Sequence, residues 1–153
     1  MKTSTLVLIL LVLVLSCGMA SAAKATYYQN TVKILNDRGS LENYLVIDGL
    51  KDIVVYNGGY LYCTTSTAIQ VYDIRVPAKP KLMKVVTPGA NTLSLKGIYL
   101  YAGGKDLRVY SLASPLSPRL VNIKSLPSPA TESEIYNGYL YMYTASGVVI
   151  VKV

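Results

Sequence analysis

No histidine occurs in the 153 residues of this chain, so the commonest general base and metal ligand is missing from the outset. Chemistry would have to come from eight carboxylates: Asp37, Glu42, Asp48, Asp52, Asp73, Asp106, Glu132 and Glu134. None of them falls in a calcium-loop run of alternating acids. Glu132 and Glu134 are spaced i, i+2, which puts both on one face of a strand. An acid–base pair could be built from them, although a solvated sheet edge is the plainer reading. Asp73 stands just before a proline turn, where its side chain is expected to cap backbone N–H groups. Cys63 follows Tyr62 on an apolar stretch with no base beside it and reads as a buried packing thiol. No nucleophile motif, Walker loop or dinucleotide-binding loop is present, and Gly103-Gly104 is a turn. The expectation is therefore no catalytic residue, no cofactor and no metal.

The basic residues carry more. Lys and Arg number 15 against 8 acids, a formal charge of +7. Arg75, Lys79, Lys81 and Lys84 cluster around one proline-flanked turn, and Arg119 and Lys124 follow its counterpart. If the two turns share a face, these six form a ring suited to an anionic partner, a glycan or a membrane surface. The competing reading is a scattered solubilising surface. All fourteen aromatic residues are tyrosine, mostly at strand positions, which favours core over a sugar-stacking platform.

The elements that must position these groups repeat. Tyr-Leu-Tyr occurs at 60–62, 99–101 and 139–141. Each copy follows a turn signal: Asn57-Gly58-Gly59, Lys96-Gly97 or Asn137-Gly138. A second strand comes after each, Ile69–Asp73, Leu107–Ser111 or Val148–Lys152. Paired prolines then appear in two copies, Pro77 with Pro80 and Pro115 with Pro118, ahead of apolar strands near 82–86 and 120–123. A strand also precedes each turn, near 52–56, 92–95 and 134–136. The unit is thus four short strands, a-b-c-d, in about 40 residues, which is the sequence signature of a β-propeller blade. An all-β chain of about three such four-stranded repeats is predicted, covering 52–89, 90–128 and 129–153. An ordinary antiparallel sandwich would not repeat turn and strand order three times.

Strand c with its following turn, Val71-Tyr72-Asp73-Ile74-Arg75-Val76-Pro77-Ala78-Lys79-Pro80, resembles the LVIVD repeat family. Residues 69–73 match its naming string loosely, 107–111 less well, and 148–152 only in the apolar part; its Asp survives as Asp73 but is Ser111 and Lys152 in the other copies. The resemblance implies a β-propeller in a secreted or surface protein of bacteria or archaea, and little about activity.

Residues 1–22 read as a secretory signal peptide: Lys2, an apolar run from Leu6 to Leu15, and the Ala20-Ser21-Ala22 cleavage signal. A lipoprotein box ending in Cys17 is the rival. Cleavage after Ala22 removes Lys2 and Cys17, which lowers the formal charge from +7 to +6 and leaves Cys63 without an intrachain partner. Export to the periplasm or outside the cell follows, with no nucleic-acid partner, and no second apolar run is long enough for a transmembrane span. Residues 23–42 read as a leader or edge segment, with a possible strand over Thr31–Leu35 and a turn at 36–40.

Residues 43–48 stand at the position of a lone strand d. With the last unit ending in strand c, the order d-abcd-abcd-abc predicts a head-to-tail homodimer. Residues 44–48 of each copy would complete the blade 134–153 of the other, giving six blades and an interface of Leu45, Val46, Ile47, Val149 and Val151. The functional expectation is a non-catalytic interaction or scaffold module at the cell envelope. A lectin-like glycan-binding module and a truncated remnant of a larger propeller are the alternatives.

Overall fold

A computed structural model describes residues 22–153. The signal-peptide reading and Cys17 fall on residues 1–21, outside the described part. Among the described residues every regular element is a strand, and no helix is long and apolar enough to cross a membrane.

Fourteen strands form four separate antiparallel sheets. The first contains β1 (Lys24–Tyr28), β2 (Thr31–Leu35) and β3 (Leu41–Val46), in that order. The second is β4 (Asp52–Tyr56), β5 (Tyr60–Thr64), β6 (Ile69–Asp73) and β7 (Lys81–Val86). The third repeats it with β8 (Thr92–Lys96), β9 (Tyr99–Gly103), β10 (Asp106–Ser111) and β11 (Arg119–Ser125). The fourth is β12 (Ala130–Tyr136), β13 (Tyr139–Thr144) and β14 (Gly147–Lys152). The β4–β5 and β12–β13 hairpins turn through Asn57-Gly58 and Asn137-Gly138, all four at positive φ, as the tight hairpin twist requires.

Strand pleating explains the repeated tripeptide. Successive side chains point to opposite faces, so the central leucine faces one neighbouring sheet and the two tyrosines face the other. Leu61 joins a core between sheets one and two with Val32, Ile34 and Cys63. Tyr62, from the opposite face, joins a core between sheets two and three with Ile69, Val71, Leu93 and Leu100. Tyr101, Leu107, Leu140 and Met142 build the third core, between sheets three and four. Both faces of the middle sheets are therefore packed, and this is why β6 does not alternate between apolar and polar residues. The first strands of sheets two, three and four (β4, β8, β12) lie beside one another, and β1 lies beside β4.

The first sheet differs from expectation. Residues 24–35, expected to be a leader or edge segment, form β1 and β2; β2 is the strand expected over Thr31–Leu35, and β3 pairs with it from Thr31↔Val46 to Leu35↔Leu41. The strand expected to stand alone at 43–48 thus already has a partner in its own chain. It keeps the outermost place of a strand d, but its sheet supplies strands b and c as well. The observed order is bcd-abcd-abcd-abc, four sheets instead of three and a spare strand.

Candidate interaction surfaces

Three kinds of polar contact carry the chain from sheet to sheet. Asp52, on β4, reaches forward into sheet three: its Oδ2 accepts from the Leu93 N–H at 2.8 Å and lies 3.3 Å from the Thr92 hydroxyl. The hydroxyl of Tyr27, on β1, approaches its Oδ1 at 3.5 Å, so one carboxylate touches three sheets. Burial is the main reason the Tyr27 phenol is pushed up, with Asp52 adding to it. One sheet further on, the Ser133 hydroxyl shares hydrogen bonds of 2.8 Å with Thr92 and Ser94. The Tyr62 hydroxyl donates to the Pro115 carbonyl in the β10–β11 loop at 2.7 Å, and burial pushes its phenol far above the usual range.

Three of the six basic residues share one cavity. Arg75, Lys79 and Lys81 line one open cavity together with Asp73 and Val76. There the Arg75 guanidinium grips Asp73 through two nitrogens, at 2.6 Å from Nη2 to Oδ2 and 3.0 Å from Nε to Oδ1. It also lies 5.6 Å from the Tyr60 ring centre. The Asp73 carboxyl is held below its usual range, first by the Arg75 side-chain hydrogen bonds. Its Oδ1 accepts from the Arg75 backbone N–H at 3.0 Å, the turn cap that the sequence predicts. Lys84 instead donates to Ser117 at 2.8 Å, and Lys124 lines a different groove between sheets three and four, with Tyr101, Val121 and Val151. Arg119 lines neither cavity.

The predicted dimer contacts are also redistributed. Ile47 is buried, and Leu45 half-buried, in the core between sheets one and two, while Val149 and Val151 pack into the core between sheets three and four. Alternation on β3 and β14 turns these residues inward. Of the five, only Val46 is exposed. The strand expected to complete another copy's blade, β3, is paired with β2 of its own chain.

Glu132 and Glu134 do share a face, as their spacing requires, and it is the outward face of sheet four. The Tyr143 hydroxyl donates to Glu134 Oε1 at 2.7 Å, and this bond is the largest cause of its raised phenol pKa. No group of three or more potential metal ligands occurs among the described residues. Cys63 is fully buried, and burial pushes its thiol up to about 12.

No family model and no curated protein matches the chain. Solved structures do. The WD40 β-propeller domain of Doa1 is 13% identical with a TM-score of 0.62, covering 87% of this chain and 47% of that one. Sqt1 from Saccharomyces cerevisiae is 12% identical with a TM-score of 0.65, covering 89% and 44%. The computationally designed Ika4 protein is 13% identical with a TM-score of 0.60, covering 90% and 94%. The chain therefore has the β-propeller fold and spans about half the length of the Doa1 and Sqt1 chains it resembles. At these identities the likeness speaks for the fold alone.

Proposed function

We propose that this chain is a non-catalytic β-propeller module of the LVIVD-like type, exported to the cell envelope, where it acts by binding another protein. The observation that carries the reading is apolar surface on the outer strands. Leu82, Met83 and Val85 on β7, and Leu120, Val121 and Ile123 on β11, are all exposed. Exposed apolar surface marks interaction sites, and the lysines and arginines of the same two strands give it a polar rim suited to an acidic partner. Propellers serve as interaction scaffolds through such surfaces, and the likeness to WD40 chains supports this reading.

The test places a photo-crosslinking amino acid at Val85 or Ile123 in producing cells. Specific protein adducts in the envelope fraction, with a mature N-terminus at Ala23, are expected. A chain retained in the cytoplasm would refute export, and a lipid-modified species beginning at Cys17 would replace free secretion with anchoring. One observation favours a glycan instead: Tyr136, Tyr139 and Tyr143 stand exposed beside Glu132 and Glu134, an aromatic and carboxylate surface suited to sugar stacking. Saturable glycan-array binding lost in Tyr139→Ala, without protein adducts, would decide for that alternative.

A further inference from the structure

Two turns of this chain are built alike and charged differently. The β6–β7 turn of sheet two carries Pro77 and Pro80, and the β10–β11 turn of sheet three carries Pro115 and Pro118. They share their backbone bonds. Lys79 N–H donates to Val76 O at 2.8 Å, and Ser117 N–H to Ser114 O at 2.9 Å. Ile74 N–H donates to Gly59 O at 2.9 Å, and Leu112 N–H to Ile98 O at 2.7 Å. The residue opening each turn caps the N–H two positions on, Asp73 that of Arg75 at 3.0 Å and Ser111 that of Ala113 at 3.4 Å. Yet where sheet two has Asp73, Arg75 and Lys79, sheet three has Ser111, Ala113 and Ser117. The turn folds without those charges, so folding does not account for them in sheet two.

The Arg75 side chain is also held in place. Its stem takes the space that a side chain at position 59 would fill, since a Cβ on Gly59 would lie 2.8 Å from Arg75 Cγ. The exchange is reciprocal. The residue ahead of the first Tyr of the repeat is Gly59 in sheet two and Ile98 in sheet three, where Ala113 replaces Arg75. The guanidinium lies 5.6 Å from the Tyr60 ring centre and spends Nε and Nη2 on Asp73. Its Nη1 donates to nothing among the described residues. Both Asp73 oxygens are already taken by Arg75. Lys79 and Lys81 line the same cavity and have no ion-pair partner among the described residues. The lining thus holds three cations against one acid, an excess of two positive charges. Val76 completes the wall and is 58% exposed.

We propose that this cavity binds a side-chain carboxylate of an acidic peptide segment, held by Arg75, Lys79 and Lys81. Nη1 and the second N–H of Nη2 offer the carboxylate two parallel hydrogen bonds, and the guanidinium that carries them is already oriented by Asp73 and Tyr60. The two lysines close on it from their flexible stems. Apolar side chains flanking the acid would cover Val76 and the neighbouring Leu82 and Met83, which are exposed. A free anion would leave that apolar surface in water, and this is the reason for choosing a peptide. The inference rests on the protein-binding reading above and adds the chemistry of the contact.

The test is an NMR titration of the protein purified from producing cells. The probe is a blocked pentapeptide of alternating leucine and glutamate, and the control carries glutamine in place of glutamate. The glutamate peptide should shift the Arg75 Nε–H signal and the amides of Val76, Lys79 and Lys81 saturably, and the glutamine peptide should not. Asp73→Ser with Arg75→Ala and Lys79→Ser gives this turn the residues of its counterpart in sheet three. That variant should keep its circular dichroism and bind roughly 10-fold more weakly, read at the amides of Val76 and Lys81. Should it lose its fold, Lys79→Gln with Lys81→Gln takes its place. No shift at this turn overturns the proposal, as does a folded variant that binds undiminished. Inorganic phosphate that moves the same signals as strongly as the peptide would make this a free-anion site and refute the peptide. The two readings fail differently. Val85 adducts that form equally in wild type and in the triple variant keep the protein-binding reading and overturn this site. No adduct in wild type overturns that reading, and the site then stands or falls by the titration.

Discussion

Gly89→Ala should be among the most damaging single-methyl additions in this chain. The glycine has no unusual φ; what it supplies is closeness. A Cβ there would lie 2.0 Å from the Thr65 carbonyl oxygen, 2.5 Å from the Ala68 nitrogen and 2.8 Å from the Thr67 nitrogen. All three are backbone atoms, so no side chain can swing away. Relief needs the β5–β6 turn or the β7–β8 loop to retreat by more than an ångström. The turn is held by Thr65 N–H to Ala68 O at 2.9 Å, and the loop by Ala90 N–H to Thr65 O at 3.0 Å. The Thr64 hydroxyl adds a bond from the Ala90 N–H at 2.8 Å. Overpacking of this kind costs about 1–3 kcal/mol, and two lost hydrogen bonds add about 1 kcal/mol each. The expected loss is therefore about 3–5 kcal/mol, a large share of the roughly 5–15 kcal/mol that holds a domain together. Urea unfolding followed by circular dichroism measures it, with the midpoint falling at unchanged slope. Gly97→Ala is the control: nothing lies within 4 Å of its Cβ, and only φ +56 penalises it, so about 1 kcal/mol is expected. If Gly89→Ala unfolds within about 1 kcal/mol of wild type, the close approach is not a constraint and the reasoning fails.

Tyr62→Phe removes the hydroxyl that donates to Pro115 O and should cost about 1 kcal/mol; an unchanged melting temperature would show that the bond does not tie sheet two to sheet three. Cys63, buried and with its thiol pushed up to about 12, should react with a thiol reagent at pH 8 only as fast as the protein unfolds. Stoichiometric labelling of folded protein within seconds would contradict its packing role. Asp73 is held below its ordinary 3.8 by Arg75, so its contribution is present above the unfolded value and is lost as pH falls through the lower folded one. The stability gap between wild type and Asp73→Asn should accordingly be flat from neutral pH down to about pH 5 and shrink below about pH 4. A gap that widens on acidification would reverse the assignment.

Sheets two to four were legible because each carries Tyr-Leu-Tyr behind an Asn-Gly or Lys-Gly turn. The first sheet was legible only in part, as the strand over Thr31–Leu35 and the turn after it, for reasons visible in its residues. Its β1 reads Lys24-Ala25-Thr26-Tyr27-Tyr28, with alanine where the repeats place tyrosine toward the next sheet. Its hairpin turns at Gln29-Asn30, with Gln29 at φ 51, so no glycine marks the turn. The outermost place of residues 43–46 was readable from their spacing to Tyr60, but their pairing was not, since pairing depends on strands with no repeat signal. The Glu132 and Glu134 face followed from period two alone. The role of Asp52 did not, because its partner at Leu93 lies in another sheet and is a backbone group that any sequence supplies.

The backbone bonds of the linking loops have a consequence for how this molecule comes apart. Ala90 donates to Thr65 O, Ala130 to Gly104 O and Ile47 to Asn30 O, so each loop that leads into a sheet is anchored on the hairpin of the sheet before it. These three anchors run one way along the chain, and the entrance to sheet one runs the other, with Ala23 donating to Gly58 O in sheet two at 2.7 Å. Loss of sheet one releases the entrance to sheet two and one core, whereas loss of sheet two releases the entrance to sheet three and both adjoining cores. Arrays whose units touch only their neighbours melt from the ends inward. Amide exchange should therefore be slowest in β5, β6, β9 and β10 and fastest in β1 and β14.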